Sequence, residues 1–219
     1  MTGVETAPSP RTEVRRHPER GVYDRAAIDA ILDEALYCHV GFVADGRPFV
    51  IPTIHARSGD VLYLHGSPAS RMLRTLAGGL DVCVTVTILD GLVLARSVYN
   101  HSMNYRSVVV LGNARAVEDR AKKLAALEAV VEHVAAGRSR DARAPSEKEL
   151  GGTLVLALPL DEASAKVRSG PPKDFDDDVP LPIWAGVVPL RLAAGAPEPA
   201  ADLPAGLEAP PYALDYRRP

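Results

Sequence analysis

In the segment Cys38-His-Val-Gly-Phe-Val-Ala-Asp-Gly-Arg-Pro-Phe-Val-Ile-Pro-Thr-Ile-His-Ala-Arg-Ser-Gly-Asp-Val-Leu-Tyr-Leu-His65, apolar and β-branched runs are broken twice by turn signals, Asp45-Gly46 and Ser58-Gly59-Asp60. Such pairs supply the backbone freedom of tight hairpins, so residues 38–44, 49–57 and 61–65 are expected to form a three-stranded antiparallel meander. In the middle strand Val50, Pro52, Ile54 and Ala56 fall on one face, with Phe49, Ile51, Thr53, His55 and Arg57 on the other. The second face grades from apolar to polar, as suits a groove that takes a ring system at one end and a polar chain at the other. Pro52 cannot donate to a ladder and belongs at an edge or an opening. Read alone, His55 fits a partly exposed surface histidine as well as a ligand contact.

Upstream, Ile28, Ile31, Leu32, Ala35 and Leu36 recur at helical spacing behind Asp24, a natural N-cap, which predicts a short amphipathic helix over 24–36. Downstream, residues 67–76 are expected to be a second short helix with Ser67 as N-cap, Pro68 at its first position and Gly78-Gly79 past its end. Residues 81–88 alternate strictly, Asp90-Gly91 reads as a turn, and 92–97 and 105–117 supply further strand, for about six strands in all. A helix over 119–136 carries Leu124, Leu127, Val130, Val131 and Val134 on one stripe and stops at Gly137. A polar loop over 138–149 precedes extended pieces at 153–160 and 183–190. Tight antiparallel turns, few helices and no βα alternation predict a mainly β fold with a closed architecture. Residues 1–13 and 193–219, rich in Pro with Ser and Thr or with Ala, are expected to be tails around a domain of residues 14–192.

The 219 residues are 47% apolar and 24% charged, as in an ordinary globular domain, and the net charge of −3 argues against a nucleic-acid or anionic-membrane partner. No apolar run approaches the roughly 18 residues of a membrane span, and no N-terminal signal-peptide pattern is present, so the expected compartment is the cytoplasm. Cys38 and Cys83 show no metal or redox spacing and read as reduced thiols. Four histidines, His39, His55, His65 and His101, form no pair at metal-ligand spacing. The acidic run Asp174-Phe-Asp-Asp-Asp178 reads as a solvated loop.

Dinucleotide, P-loop, nucleophile-elbow and zincin signatures are absent, so any chemistry is expected to come from a cofactor. The strongest local signal is His65-Gly-Ser-Pro-Ala-Ser-Arg-Met-Leu-Arg74, where a strand meets a helix start that offers free backbone N–H groups, the hydroxyls of Ser67 and Ser70, and Arg71. This combination suits a phosphate, which a guanidinium grips in bidentate fashion. The same residues also fit an ordinary Ser-capped helix with exposed arginines. A polar block, Ala95-Arg-Ser-Val-Tyr-Asn-His-Ser-Met-Asn-Tyr-Arg-Ser107, reads either as a long solvated loop or as a second site wall with His101 as base or electrostatic partner.

These segments, with Arg16-His-Pro-Glu-Arg-Gly-Val-Tyr-Asp24, Gly46-Arg-Pro-Phe-Val-Ile-Pro-Thr53, Asp90-Gly-Leu-Val-Leu-Ala-Arg-Ser97, Ser164-Ala-Lys-Val-Arg-Ser-Gly-Pro-Pro172 and Trp184-Ala-Gly-Val, resemble the pyridoxamine 5'-phosphate oxidase-like flavin-nucleotide-binding proteins, in the branch related to nitroimidazole reductases. The resemblance runs from about Val14 to Leu190. It implies a six-stranded antiparallel split β-barrel with flanking short helices, forming a homodimer with FMN at the interface, and an FMN-dependent oxidoreductase of unidentified small-molecule substrate. It places Val50, Ile51, Pro52 and Thr53 along the flavin ring, and His65, Gly66, Ser67, Ser70 and Arg71 at the ribityl phosphate. Tyr105, Arg106 and Ser107 are similar to the strand contributed across the dimer, Trp184 to a residue closing the pocket, and His65 to the histidine tied to activity. Met72 stands where pyridoxamine-phosphate oxidases carry a basic residue, and their C-terminal substrate pattern is missing, which speaks against vitamin B6 oxidation. A non-catalytic flavin or haem carrier on the same barrel, with His65 or His101 serving haem, is the alternative.

Overall fold

The computed structural model describes residues 7–217. Eleven strands form two antiparallel sheets: β1 (Gly21–Val22), β2 (Cys38–Ala44), β3 (Arg47–Thr53), β4 (His55–Ser58), β5 (Val61–Gly66), β6 (Asp81–Leu94), β7 (Ser102–Asn113), β8 (Arg115–Ala116), β9 (Leu154–Pro159), β10 (Glu162–Arg168) and β11 (Gly186–Pro189). Helices α1 (Arg25–Glu34), α2 (Arg71–Ala77), α3 (Arg120–Val134), α4 (Glu147–Gly151) and α5 (Pro211–Leu214) flank them. The seven-stranded sheet runs β1-β10-β7-β6-β2-β3 with β11 added to β6, and the four-stranded sheet runs β4-β5-β9-β8. The mainly β, antiparallel class agrees with the sequence reading. The count of six strands does not: the chain changes sheet at four places, after β3, after β5, after β7 and after β9.

The strand expected over 49–57 breaks at Ile54, so that β3 pairs with β2 in one sheet and β4 pairs with β5 in the other. The break turns His55 and Ala56 into the interior, where both are fully buried. The expected turn at Asp90-Gly91 is instead a β-bulge inside one long strand: Leu89 pairs with Tyr105 and Gly91 with Asn104, which leaves Asp90 as the extra residue. One added residue exchanges the two faces of a strand. Accordingly Val82, Val84 and Val86 are buried before the bulge, Gly91 and Val93 after it. A Cβ at Gly91 would lie 3.0 Å from both Val187 Cγ1 and Val188 O of β11, so a larger residue there requires β11 to shift.

Asp24 caps α1 by accepting from Ala27 N at 2.8 Å, and Ile28, Ile31 and Leu32 are buried beneath the helix. The second helix begins later than the sequence suggests. Residues 67–70 form a turn closed by Ser70 N to Ser67 O at 2.9 Å, and Ser70, not Ser67, caps α2 by accepting from Leu73 N. Pro68 sits in that turn rather than in the helix. The polar stretch over 138–149 runs into α4, opened by a capping box of Ser146 and Glu149. Of the polar block only 95–101 lies outside regular strand, for β7 begins at Ser102. The core between the layers is built from Leu32, Val40, Leu62, Leu64, Leu73, Leu76, Val84, Val86, Leu156 and Leu158, all essentially inaccessible. Burial pushes the Cys38 thiol up to about 12, and it lies on the opposite face from Cys83, whose cross-strand partner is Gly41. Among the described residues no helix is long and apolar enough to cross a membrane. Residues 192–210 carry no regular strand or helix, and beyond them Tyr212 and Tyr216 dock on the end of α3 through Asp141 and Val134 O.

Candidate functional site at the edge of the larger sheet

Strand β3 closes the seven-stranded sheet, so one of its sides has no strand partner among the described residues. Both of its prolines, Pro48 and Pro52, are tolerated for that reason. Val50 is 66% exposed and Pro52 is exposed, while Ile51 and Thr53 are half-buried. At the start of the edge Phe49 stacks on Phe42 with centroids 5.5 Å apart, and the Arg71 guanidinium carbon lies 4.0 Å above the Phe49 ring. That contact joins β3 to the beginning of α2. Arg71 makes no ion pair among the described residues, so its N–H groups remain available around a ring that holds the cation in place.

The two serines are already acceptors, Ser67 Oγ from Ala69 N at 3.1 Å and Ser70 Oγ from Leu73 N at 3.4 Å, which leaves each hydroxyl proton to be donated. Helix α2 has only 7 residues, so its dipole adds little and the guanidinium is the main source of positive charge. Gly66 permits the close approach of helix to strand, because a Cβ there would meet Leu73 Cδ1 at 3.1 Å. His65, just before it, is half-buried; its Nδ1 is buried without a hydrogen-bond partner among the described residues. Burial holds its pKa below the ordinary 6.5, so the ring is neutral at pH 7. A neutral imidazole with an open nitrogen is the form that binds a metal or accepts a proton.

His55 does a different job. It is fully buried, its Nε2–H donates to Leu32 O at 2.9 Å, and its ring lies 4.7 Å from that of His133, which in turn donates to Ala35 O at 2.8 Å. The pair pins α1 and α3 to β4, and the surface and ligand readings of His55 both give way to a structural one.

Tyr105, Arg106 and Ser107 lie on β7, three strands from β3, and in one chain they do not meet the Arg71 corner. Arg106 is bound in the chain itself: Nε and Nη2 donate to Asp90 at 3.0 and 2.8 Å, Nη2 donates to Glu34 Oε1 at 2.8 Å, and Nη1 donates to Glu34 Oε2. The two carboxylates push its pKa up. Ser107 Oγ donates to Lys166 O at 3.3 Å, and Tyr105 is half-buried. Trp184 is 67% exposed on the loop before β11 and leans on Gly186 rather than on any residue of the corner. Sequence reasoning missed Phe49 as the platform for Arg71. Its only signal was that it shares a face with Ile51 and Thr53 at the apolar end of the gradient.

A cleft of about 690 Å³ opens elsewhere, between α3 and the C-terminal turn. Of its charged lining, Arg57 is engaged with Asp29 and Asp33, and Glu132 with the amides of Gly137 and Ser139. The Arg71 corner, which offers open donors, is the better candidate. Among the described residues no three His, Cys, Asp or Glu side chains gather where they could hold a metal ion.

An edge strand beside a Ser/Arg turn, set in two antiparallel sheets that exchange strands, defines a class, and the sequence profile described as pyridoxamine 5'-phosphate oxidase matches residues 24–167. The chain belongs to that family. Its structure is similar to that of the flavocytochrome Anf3 from Azotobacter vinelandii, at 41% identity and a TM-score of 0.92 over 98% of this chain and 100% of that one. It is also similar to the FAD and heme binding protein from Mycobacterium smegmatis, at 39% identity and a TM-score of 0.85 over 88% and 95% of the two chains. A 5-nitroimidazole antibiotic resistance protein from Bacteroides thetaiotaomicron shares 27% identity and a TM-score of 0.56, covering 67% of this chain and 86% of its own. Among curated proteins no sequence matches significantly.

Proposed function

We propose that the protein is a cytoplasmic, flavin-dependent oxidoreductase that carries a haem as its second redox group. The observation that carries the flavin reading is Arg71 seated on Phe49 beside the open edge of β3. Val50, Ile51, Pro52 and Thr53 would hold the isoalloxazine, and Arg71 with the hydroxyls of Ser67 and Ser70 would hold the ribityl phosphate. The residues fit: apolar surface next to one unpaired cation and two hydroxyl donors is what an aromatic phosphate ester needs. The flavin, when bound, supplies hydride and single-electron chemistry, while the chain supplies orientation and electrostatics. The sequence reading favoured FMN; the name of the Mycobacterium smegmatis relative favours FAD, and FAD is our choice for the resident form.

The haem reading rests on the flavocytochrome and on the FAD and heme binding protein, and on His65, whose neutral ring with an unpartnered Nδ1 would hold the haem iron. A second copy of the chain covers the exposed side chains Val98, Tyr99 and Trp184, which are 94%, 84% and 67% accessible. In that dimer Tyr105, Ser107 and Trp184 reach the partner's flavin.

An absorption spectrum of the purified protein, followed by chromatography of the released flavin and light scattering, tests the reading. A Soret band with flavin bands, FAD in the supernatant and a mass twice 23.3 kDa are expected. Flavin without a Soret band removes the haem, FMN in the supernatant restores the mononucleotide, and a colourless protein that binds neither flavin overturns the proposal. A bound flavin that no reductant and acceptor pair can turn over reduces the protein to a carrier.

A further inference from the structure

Arg168 ends β10 and is only 8% exposed. Its guanidinium touches neutral groups alone: Nη1 donates to Asn104 Oδ1 and, at 3.5 Å, to Gly170 O, and Nη2 donates to Pro171 O at 3.4 Å. Asn104 is itself held by Gly170 O at 3.1 Å. Among the described residues Arg168 makes no ion pair, whereas Arg57, Arg96 and Arg106 are each matched by carboxylates. The neighbouring charge is another cation. Strand β1 pairs Gly21 with Lys166, which sets Arg20 beside the end of β10. Loss of water and Arg20 weigh against the charged form of Arg168 while Tyr105 favours it, and Arg20's own ion pair is with the exposed Glu19, 3.7 Å from its Nε. Lys166 shares the face, two residues earlier on the same strand, and is tied to Arg16 O.

A buried cation without an anion is costly, and a second cation beside it makes the position worse. Such an arrangement is stable when an anion completes it. We propose that Arg168 and Arg20 form an oxyanion site that takes a carboxylate or phosphate of a ligand lying on the outer face of the seven-stranded sheet. It is separate from the Arg71 corner: β10 and β3 are four strand spacings apart, about 19 Å. Within one chain the site stands apart from the flavin corner; in the proposed dimer it rests on the flavin reading, because Arg168 and Lys166 are the cross-strand partners of Tyr105 and Ser107, and the second phosphate of FAD and the propionates of haem carry the right chemistry.

The test uses the full-length protein freed of cofactors, with melting temperature and calorimetric affinity read in inorganic phosphate, pyrophosphate and succinate against chloride of equal ionic strength. The wild type is expected to be stabilised by at least one of these anions. Arg168→Gln should weaken that anion about 10- to 150-fold, the range for losing a hydrogen bond to a charged group. Arg20→Gln keeps the turn at Gly170 intact and should weaken it severalfold, which covers the case in which Arg168→Gln fails to fold. Arg71→Ala removes only the part of the phosphate response that belongs to its own corner, and the loss caused by Arg168→Gln should persist in the Arg71→Ala background, so failure of the flavin corner and failure of this site are told apart. The source is read by comparing ligands: loss for FAD but not FMN assigns the dinucleotide phosphate, and loss for haem but not its dimethyl ester assigns a propionate. Loss for inorganic phosphate alone assigns a free anion. No stabilisation of the wild type, or equal responses in Arg20→Gln, Arg168→Gln and the exposed control Arg115→Gln, overturns the proposal.

Discussion

At the β3–α2 corner Arg71 rests on an aromatic ring with no carboxylate; at the β6–β7 bulge Arg106 is clasped by two, Asp90 and Glu34. Both arginines stand in motifs that the sequence marks as cofactor-binding, and both are partly accessible. The difference lies in what the fold places opposite each. An unpaired guanidinium keeps its hydrogen-bonding capacity for a ligand, whereas Arg106 has already used most of its five donors inside the chain. The first corner is built to receive, the second to hold α1 against the sheet.

That contrast can be broken most sharply at His65. His65→Ala should abolish the Soret band while flavin absorption persists; an unchanged Soret band would move the ligand elsewhere, with His101 next in line. Smaller but still large is Arg71→Ala, expected to weaken FMN and FAD about 10- to 150-fold for one lost charge-assisted contact, with riboflavin unaffected because it lacks the phosphate. Fluorescence titration of the three flavins reads this, and equal weakening of riboflavin would show that Arg71 acts through Phe49 packing instead.

Arg106→Gln should do the reverse. It leaves Asp90 and Glu34 facing each other without a cation, and because the pair is partly solvated the cost should be about 1–3 kcal/mol of stability, between the exposed and buried limits. Urea midpoints measure it, with flavin affinity per folded subunit changing less than about threefold, a difference of about 0.6 kcal/mol. A folded variant with severely weakened flavin would return Arg106 to the binding site.

The smallest effect concerns pH. His65 has a lowered folded pKa, so the unfolded chain takes up its proton first as pH falls through the ordinary value near 6.5, and the folded state loses stability on the acid side. His65→Gln should flatten that loss between pH 7.5 and 5.5. Identical acid slopes for the two proteins would mean that burial of the ring is not maintained in solution.

Much of the frame could be read from local pattern. Helices α1 and α3 both begin where their Asp caps stand, and the apolar repeat of α1 is buried at Ile28, Ile31 and Leu32, whereas of the stripe expected on α3 only Val130 is buried, with Ala126 beside it, and Val134 is exposed. Strands β2 and β5 follow from alternation between turn residues. Asp90-Gly91 misled because a hairpin and a bulge use the same dipeptide, and only the pairing with Tyr105 and Asn104, far along the chain, separates them. Strand β10 escaped because its inward residues, Ala163 and Ala165, are too small to announce an apolar face. At the site, the motif around Arg71 was legible, but not the Phe49 beneath it, nor the carboxylates that close off Arg106. Those are decided by which distant segments share a corner.

Gly66 gives the corner its mechanical character. With only a hydrogen where other residues carry a Cβ, strand β5 lets Leu73 settle almost onto its backbone, and the fully buried Leu73 and Leu76 anchor α2 below. His65 and Arg71 are thus the two ends of one stiff lever, strand end, turn and helix, with no slack between them. If His65 and Arg71 hold the two groups proposed above, this short rigid link would couple their sites.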